Sequence, residues 1–242
     1  MIAETAAATI AATGALAYAV RGKSASILAP SVWRGVKTRP SIALTFDDGP
    51  SPATMELLQL LERYNAKATF FQCGVNVERH PEIARAVRIG GHEIGNHSYS
   101  HPRFDFKSPG FIRGELTRAQ SVIAERTGVR PTLFRAPYGV RWFGLRGAQK
   151  KAGLTGVMWS AIAMDWTLPA DEIAARVLNG ASNGAIICLH DGREVKREPD
   201  VRETIRALEL ALPELISRGF SFETVSEILC PHPPRRSKAR SS

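Results

Sequence analysis

Between residues 41 and 224 short β-forming runs alternate with longer amphipathic segments, and no other feature restricts the fold as strongly. Residues 41–46 place Ile42, Leu44 and Phe46 on one face of a strand. Residues 68–72, 92–95, 132–135, 155–160, 185–189 and 221–224 supply further strands, seven in all. Ser51-Pro52 opens a helix over 53–64. Further helices are expected over 81–89, closed by Gly90-Gly91, over 111–127, closed by Gly128, and over 145–152, 171–178 and 201–217. Strands alternating with helices pair in parallel through right-handed crossovers, so the chain forms either an α/β barrel or a doubly wound sheet. Both build active sites from the loops at the carboxyl ends of their strands. Any motif that carries chemistry should therefore fall directly after a strand.

The 242 residues are 44% hydrophobic, enough for one domain with a sizeable core, and no repeat or linker splits residues 35–230. The net charge of +9 favours anionic surroundings. Part of it lies in a tail, residues 231–242, where Arg235, Arg236, Lys238 and Arg240 follow Pro233-Pro234; this tail reads as a solvated, disordered end. No aromatic residue interleaves with its charges, which argues against a nucleic-acid partner. Cys73, Cys188 and Cys230 form an odd set without zinc-finger spacing, so a disulfide scaffold is not indicated, and Cys73 and Cys188 read as small buried hydrophobes.

Residues 1–30 carry two readings. Glu4 is the only charge between Ile2 and Val20, the length approaches a membrane span, and Ala17-Tyr18-Ala19 resembles a leader cleavage site. On that reading residues 2–20 are a membrane anchor or leader and the protein is membrane-associated or in the extracytoplasmic envelope. Against a leader, no Lys or Arg precedes the run, and Arg21 and Lys23 follow it. By the positive-inside rule they hold the domain in the cytoplasm. An alanine-rich soluble helix is the alternative.

Five motifs fall where the architecture predicts. Thr45-Phe46-Asp47-Asp48-Gly49-Pro50 ends the first strand. It is ordinary turn chemistry, but two adjacent carboxylates need a cation or an arginine to relieve their repulsion. His97 and His101, four apart, share a face and with Asp48 make a two-histidine, one-carboxylate metal set; alone, such pairs are common on surfaces. Arg135-Ala136-Pro137-Tyr138 is either a proline turn or an arginine that orients a carboxylate bidentately, with the backbone N–H after Pro137 aimed at an oxyanion. His190 leaves a buried strand and needs a partner, for which Asp165, before Trp166, is the candidate; a purely structural Asp–His pair is the alternative. His80 and His92 lack partners and read as structural or surface residues, and His232 as part of the tail.

In combination these residues resemble the NodB-type polysaccharide deacetylases, the carbohydrate esterases of family four that act on chitin, chitooligosaccharides, peptidoglycan and some xylans. The family's ordered motifs match Thr45–Gly49, His97–His101, Arg135–Tyr138, Asp165-Trp166 and Leu189-His190, across about residues 40–226. One position departs: Ile162 stands where the fourth motif begins with aspartate. The resemblance implies a distorted (β/α) barrel and N-deacetylation of N-acetylglucosamine-type units in a polysaccharide or oligosaccharide. It implies one divalent ion on Asp48, His97 and His101, most simply zinc, with cobalt, nickel or manganese also accepted. Asp47, oriented by Arg135, is then the general base, and His190, held by Asp165, the general acid. The Tyr138 N–H faces the oxyanion, and Pro137, Tyr138, Trp166 and Leu189 line the substrate pocket. Two rival classes are an amidase of a non-sugar C–N bond and a catalytically silent carbohydrate-binding protein on the same fold.

Overall fold

The structure, a computed structural model, describes residues 2–231; the basic tail beyond, with His232, lies outside the described residues. The strands are β1 (Ser31–Val32), β2 (Ser41–Asp47), β3 (Ala68–Gln72), β4 (Glu93–Asn96), β5 (Leu133–Phe134), β6 (Thr155–Val157), β7 (Ala161–Ile162), β8 (Ala185–His190) and β9 (Ser221–Phe222). The helices are α1 (Ile2–Arg21), α2 (Thr54–Arg63), α3 (Gly74–Arg79), α4 (Pro81–Ile89), α5 (Pro109–Thr127), α6 (Leu145–Ala152), α7 (Ala170–Gly180), α8 (Arg202–Ser217) and α9 (Val225–Leu229). The strand path runs β1-β6-β5-β4-β3-β2-β8-β7, with β9 also on β2, and every pairing between these strands is parallel. This is a distorted (β/α) barrel, open between β1 and β7 at the two ends of the path.

The barrel has nine strands among the described residues where seven were expected. The 155–160 run contains a strand of three residues, and the chain then bends through Met158–Ser160 before β7. β1 escapes a periodicity reading because two residues make no pattern. The short helices α3 and α9 were likewise missed. α9 is started by a capping box, Thr224 with Glu227, so residue 224 caps a helix rather than ending a strand.

Alternation along the strands sorts the core into layers. Ile42, Leu44 and Phe46 of β2 join Leu57, Leu61, Ile187 and Leu189 in the cluster between sheet and helices. Their neighbour Ala43 faces the lumen with Phe71, Leu133, Val157 and Ile186, and Val225 and Ile228 of α9 plug its base. The lumen is therefore apolar at the bottom, and the polar members of the same faces emerge at the carboxyl end.

The segment following α1 packs on the domain. The Arg141 amide donates to Val20 O, and its buried guanidinium donates to Ala25 O at 2.6 Å and to Gly22 O. Arg146 donates to Ser26 O and Ile27 O. Lys23 sits 5.3 Å over the Trp33 ring beside β1 and reaches Ser160 O beside β7, so residues 21–23 bridge the barrel's opening. No helix among the described residues is long and apolar enough to cross a membrane.

Candidate active site

The ends of β2, β4, β5 and β8 converge on one cleft of about 630 Å³. At β2 the chain turns sharply: Asp48 adopts φ 75°, which sends its carboxylate away from that of Asp47. Two glycines permit the turn. A Cβ on Gly49 would lie 2.1 Å from the Asp191 carboxylate, and one on Gly192 2.5 Å from Asp48 O. Asn76 of α3 donates to Asp48 O at 2.6 Å, and the Glu194 amide donates to Asp48 Oδ2 at 2.7 Å. Asp48 Oδ1 remains, buried and without a hydrogen-bond partner.

Two imidazoles face that oxygen. His97 Nε2 lies 3.3 Å and His101 Nε2 3.0 Å from Asp48 Oδ1. His97 Nδ1 lies 2.8 Å from Arg135 O, a partner that can only accept; the ring therefore carries its proton on Nδ1 and turns Nε2 toward Asp48. Burial would push the Asp48 carboxyl up, but His101 and His97 outweigh it and hold it well below the usual carboxylate range. The three residues thus keep a buried negative charge beside two inward nitrogens, with all three ligand atoms within 4.8 Å of one another. An orphaned oxygen and a mixed N/O set fit a divalent cation.

Asp47 occupies a different environment. Arg135, fully buried and 4.2 Å over the Phe71 ring, donates through Nη1 to Asp47 Oδ1 and to Thr45 Oγ1, both at 2.7 Å. Its Nε and Nη2 go to the Val157 and Met158 carbonyls, so the contact expected to be bidentate is single-pronged. The guanidinium spreads over β2 and the end of β6 because it also satisfies carbonyls left by the bend after β6. The second oxygen, Asp47 Oδ2, accepts from the Cys188 thiol at 3.5 Å. Burial pushes that thiol well above its ordinary range, so it stays protonated and acts as a donor.

His190 stands opposite Asp47 in the β2–β8 register. Its Nδ1 lies 2.7 Å from Asp165 Oδ1, while Asp165 Oδ2 accepts from the His190 amide at 2.9 Å and from Thr204 at 2.7 Å. Arg193 donates to Asp165 O at 2.6 Å. Burial lowers the imidazole's affinity for a proton, but the Asp165 carboxylate outweighs it and raises the pKa to about 9. The Trp166 ring stands edge-on to His190 at 5.2 Å.

Tyr138, at φ 57°, lies against His101 with ring centroids 4.7 Å apart and donates its hydroxyl to Glu194. It lines the cleft with Trp166, whereas Pro137, the first residue of the same turn, is buried and does not. Leu189 does not line it: on β8 alternate residues face opposite ways, so Leu189 enters the helix-side core and Cys188 faces the cleft. Ile162, Met158 and Trp159 complete the apolar wall. His92 is structural, as expected: Nδ1 accepts from the Ala68 amide, and burial keeps the ring neutral, with a pKa of about 4. Asn76, Arg193, Glu194 and Thr204 were not singled out from sequence, and Cys188 was read only as a small buried hydrophobe. A polar residue between two apolar ones, Asn76 between Val75 and Val77, was the available signal.

The family model for polysaccharide deacetylase matches residues 34–157. A chitooligosaccharide deacetylase of Bradyrhizobium sp. is 35% identical over 197 residues, 78% of this chain and 90% of that protein. The peptidoglycan-N-acetylglucosamine deacetylase PgdA of Listeria monocytogenes is 34% identical over 205 residues, which cover 84% of this chain but 41% of the relative. The matched part of this chain thus spans about two fifths of that protein's length. Among solved structures, the Bc1960 peptidoglycan N-acetylglucosamine deacetylase superposes with a TM-score of 0.76 at 31% identity, covering 81% of this chain and 91% of that one.

Proposed function

The chain belongs to the polysaccharide deacetylase family, and from that premise we propose that it hydrolyses the acetamide of N-acetylglucosamine-type units in a polysaccharide or oligosaccharide, releasing acetate. The observation that carries this reading is the separation of two adjacent carboxylates: Asp48 turned to two histidines, Asp47 to an arginine and a thiol. A nonspecific turn has no use for that division, whereas hydrolysis needs a cation and a base side by side.

Asp48, His97 and His101 would hold a divalent ion, most simply zinc. Such an ion supplies Lewis-acid polarisation of the acetamide carbonyl and eases deprotonation of water. Asp47, fixed by Arg135 and Cys188, takes the proton of the attacking water as general base. The Tyr138 backbone N–H stabilises the oxyanion. His190 enters the reaction protonated, as its raised pKa requires, and delivers its proton to the departing amine while Asp165 compensates its charge. Met158, Ile162 and Trp166 give the acetyl methyl an apolar seat. The naming of relatives for peptidoglycan supports work in the cell envelope.

Acetate release, measured with added divalent metal across N-acetylglucosamine oligomers, peptidoglycan and acetylxylan, tests the reading. Acetate is expected from the N-acetylated glycans. Release from none of them, by protein that holds the metal, overturns it.

A further inference from the structure

The β2–β8 ladder gathers a second set of ligand-type atoms beside Asp48, His97 and His101. Cys188 and His190 are two apart on β8 and share a face, and Asp47 lies opposite His190 in the register. One carboxylate oxygen, the thiol sulfur and one imidazole nitrogen of these residues all lie within 4.8 Å of one another. Cys188 is 1% and Asp47 3% exposed, yet all three residues line the cleft and are reached through it. The set shares no residue with the Asp48 triad, and Asp47 Oδ2 stands 4.0 Å from His97 Nε2.

Each member has an atom to offer. Arg135 occupies Asp47 Oδ1 and leaves Oδ2 facing the thiol at 3.5 Å. Asp165 holds His190 Nδ1 at 2.7 Å and leaves Nε2. A carboxylate on the far nitrogen is also how metal-bound imidazoles are oriented. The thiol is the telling member. It is a weak donor to a carboxylate, and a serine hydroxyl would serve Asp47 better in that role. What sulfur adds over oxygen is affinity, as thiolate, for soft metal ions. Binding replaces S–H by a metal–sulfur bond and N–H by a metal–nitrogen bond, and both protons leave to solvent. The thiolate then joins Asp47 and Asp165 in negative charge against Arg135 and the cation.

We propose that Asp47, Cys188 and His190 form a second, inhibitory site for a thiophilic divalent ion, such as cadmium or zinc in excess. The site goes beyond the deacetylase reading, and only its inhibitory consequence rests on that reading. There Asp47 takes a proton and His190 gives one, so an ion held between them removes both functions at once. The triad stays loaded meanwhile. The two sites also differ in softness: the triad offers nitrogen and oxygen alone, whereas the second set adds sulfur, so cadmium prefers the second. One ion thus supports turnover and another at the neighbouring set stops it, which ties activity to a window of metal supply.

The test titrates cadmium into the full chain already holding one equivalent of zinc, with zinc retention followed by mass spectrometry. Wild type should take up cadmium, show the ultraviolet charge-transfer band of a cadmium–thiolate bond, and lose acetate release in parallel. Cys188→Ala, a few-fold slower from the start, should lack the band. It should bind cadmium at least about 100-fold more weakly, its remaining turnover resisting cadmium to the same degree. Asp165→Asn should bind about 10–100-fold more weakly with the band still present at saturation. If the band depends on Cys188 although no form releases acetate, the metal site stands and the proposed activity fails. If wild type is active and cadmium raises no band, or the band persists in Cys188→Ala and vanishes in Cys230→Ala, the activity stands and the site is overturned. A Cys188-dependent band without loss of turnover overturns the inhibitory role. Inhibition that tracks loss of zinc, equal in wild type and Cys188→Ala, also overturns it by placing cadmium in the triad.

Discussion

The barrel has a closed wall and an open one, and they are held by different means. Along the closed wall β2 and β8 pair over six residues, from Ile42 with Ala185 to Asp47 with His190. The hydrogen-bond ladder itself fixes how far Asp47 stands from His190. The open wall, between β1 and β7, has no ladder. It is spanned by residues 18–30, whose backbone carbonyls accept from Arg141 and Arg146 and whose Lys23 donates to Ser160 O. Groups that must meet within tenths of an ångström hang on the wall whose register cannot slip. The other wall carries Arg21 and Trp159 at the cleft's edge, where side-chain tethers suffice.

The sharpest way to break this contrast is at the end of β2. Asp47→Asn should retain metal and substrate but lower turnover by roughly 10²–10⁴. Asp48→Asn should lose metal affinity, because a charged ligand becomes a weak neutral one. Metal content by mass spectrometry, with turnover of the loaded forms, decides it, and a variant Asp47→Asn that fails to bind metal reverses the assignment.

A second change tests the proposed acid across the ladder. In Asp165→Asn the carboxylate that outweighs burial is gone, so the His190 pKa falls from about 9. An acid works only while protonated, so the basic limb of the kcat/KM profile should move to lower pH with the acidic limb in place. Activity should drop about 10²-fold. The folding linkage has the same sign: the stability that protonated His190 lends wild type is full below about 6.5 and is lost as pH rises toward about 9, and in the variant that loss should come at lower pH, as thermal melts across pH would show.

The open wall should respond in stability rather than chemistry. Arg141→Met leaves the Ala25 carbonyl without its donor and takes one of two donors from the Gly22 carbonyl, at a cost of about 1–3 kcal/mol. Calorimetry should show a lower Tm with metal content unchanged, and disaccharide turnover per folded molecule should stay near wild type. A loss of turnover as large as that of Asp47→Asn would erase the distinction between the walls. The smallest effect is expected at Cys188→Ala, which removes one weak donor from Asp47: a few-fold loss in kcat, on the order of 0.5–1.5 kcal/mol, with metal and fold intact.

Much of the closed wall was legible in the sequence. The 41–46 and 185–189 runs are long enough to show period-two or continuous apolar patterning, and the motifs at their ends announced Asp47, Asp48 and His190. The pairing of His190 with Asp165, proposed from position alone, is found at 2.7 Å. The open wall was nearly illegible. β1 and β7 are two residues each, too short for any period, and Arg141 bonds to carbonyls, which every residue possesses and no sequence marks.

Leu189 and Cys188 show the boundary most clearly. Alternation in a strand guarantees that one of two neighbours faces the lumen, yet the lumen side is chosen by which strands flank β8 and by what fills the barrel. Here β2 and β7 turn Cys188 inward to Asp47 and Leu189 outward to the helices. By itself the sequence determined the α/β alternation, the order of the motifs and the residue types able to hold a cation and move protons, because these depend on local period and on side-chain chemistry. Only the tertiary structure decided that Asp48 turns to His97 and His101 while Asp47 turns to Arg135, that residues 18–30 bridge the barrel, and that Phe106 meets Trp142. Those outcomes depend on strand register and on loops meeting across 36 or more positions of chain, distances over which no local pattern carries information.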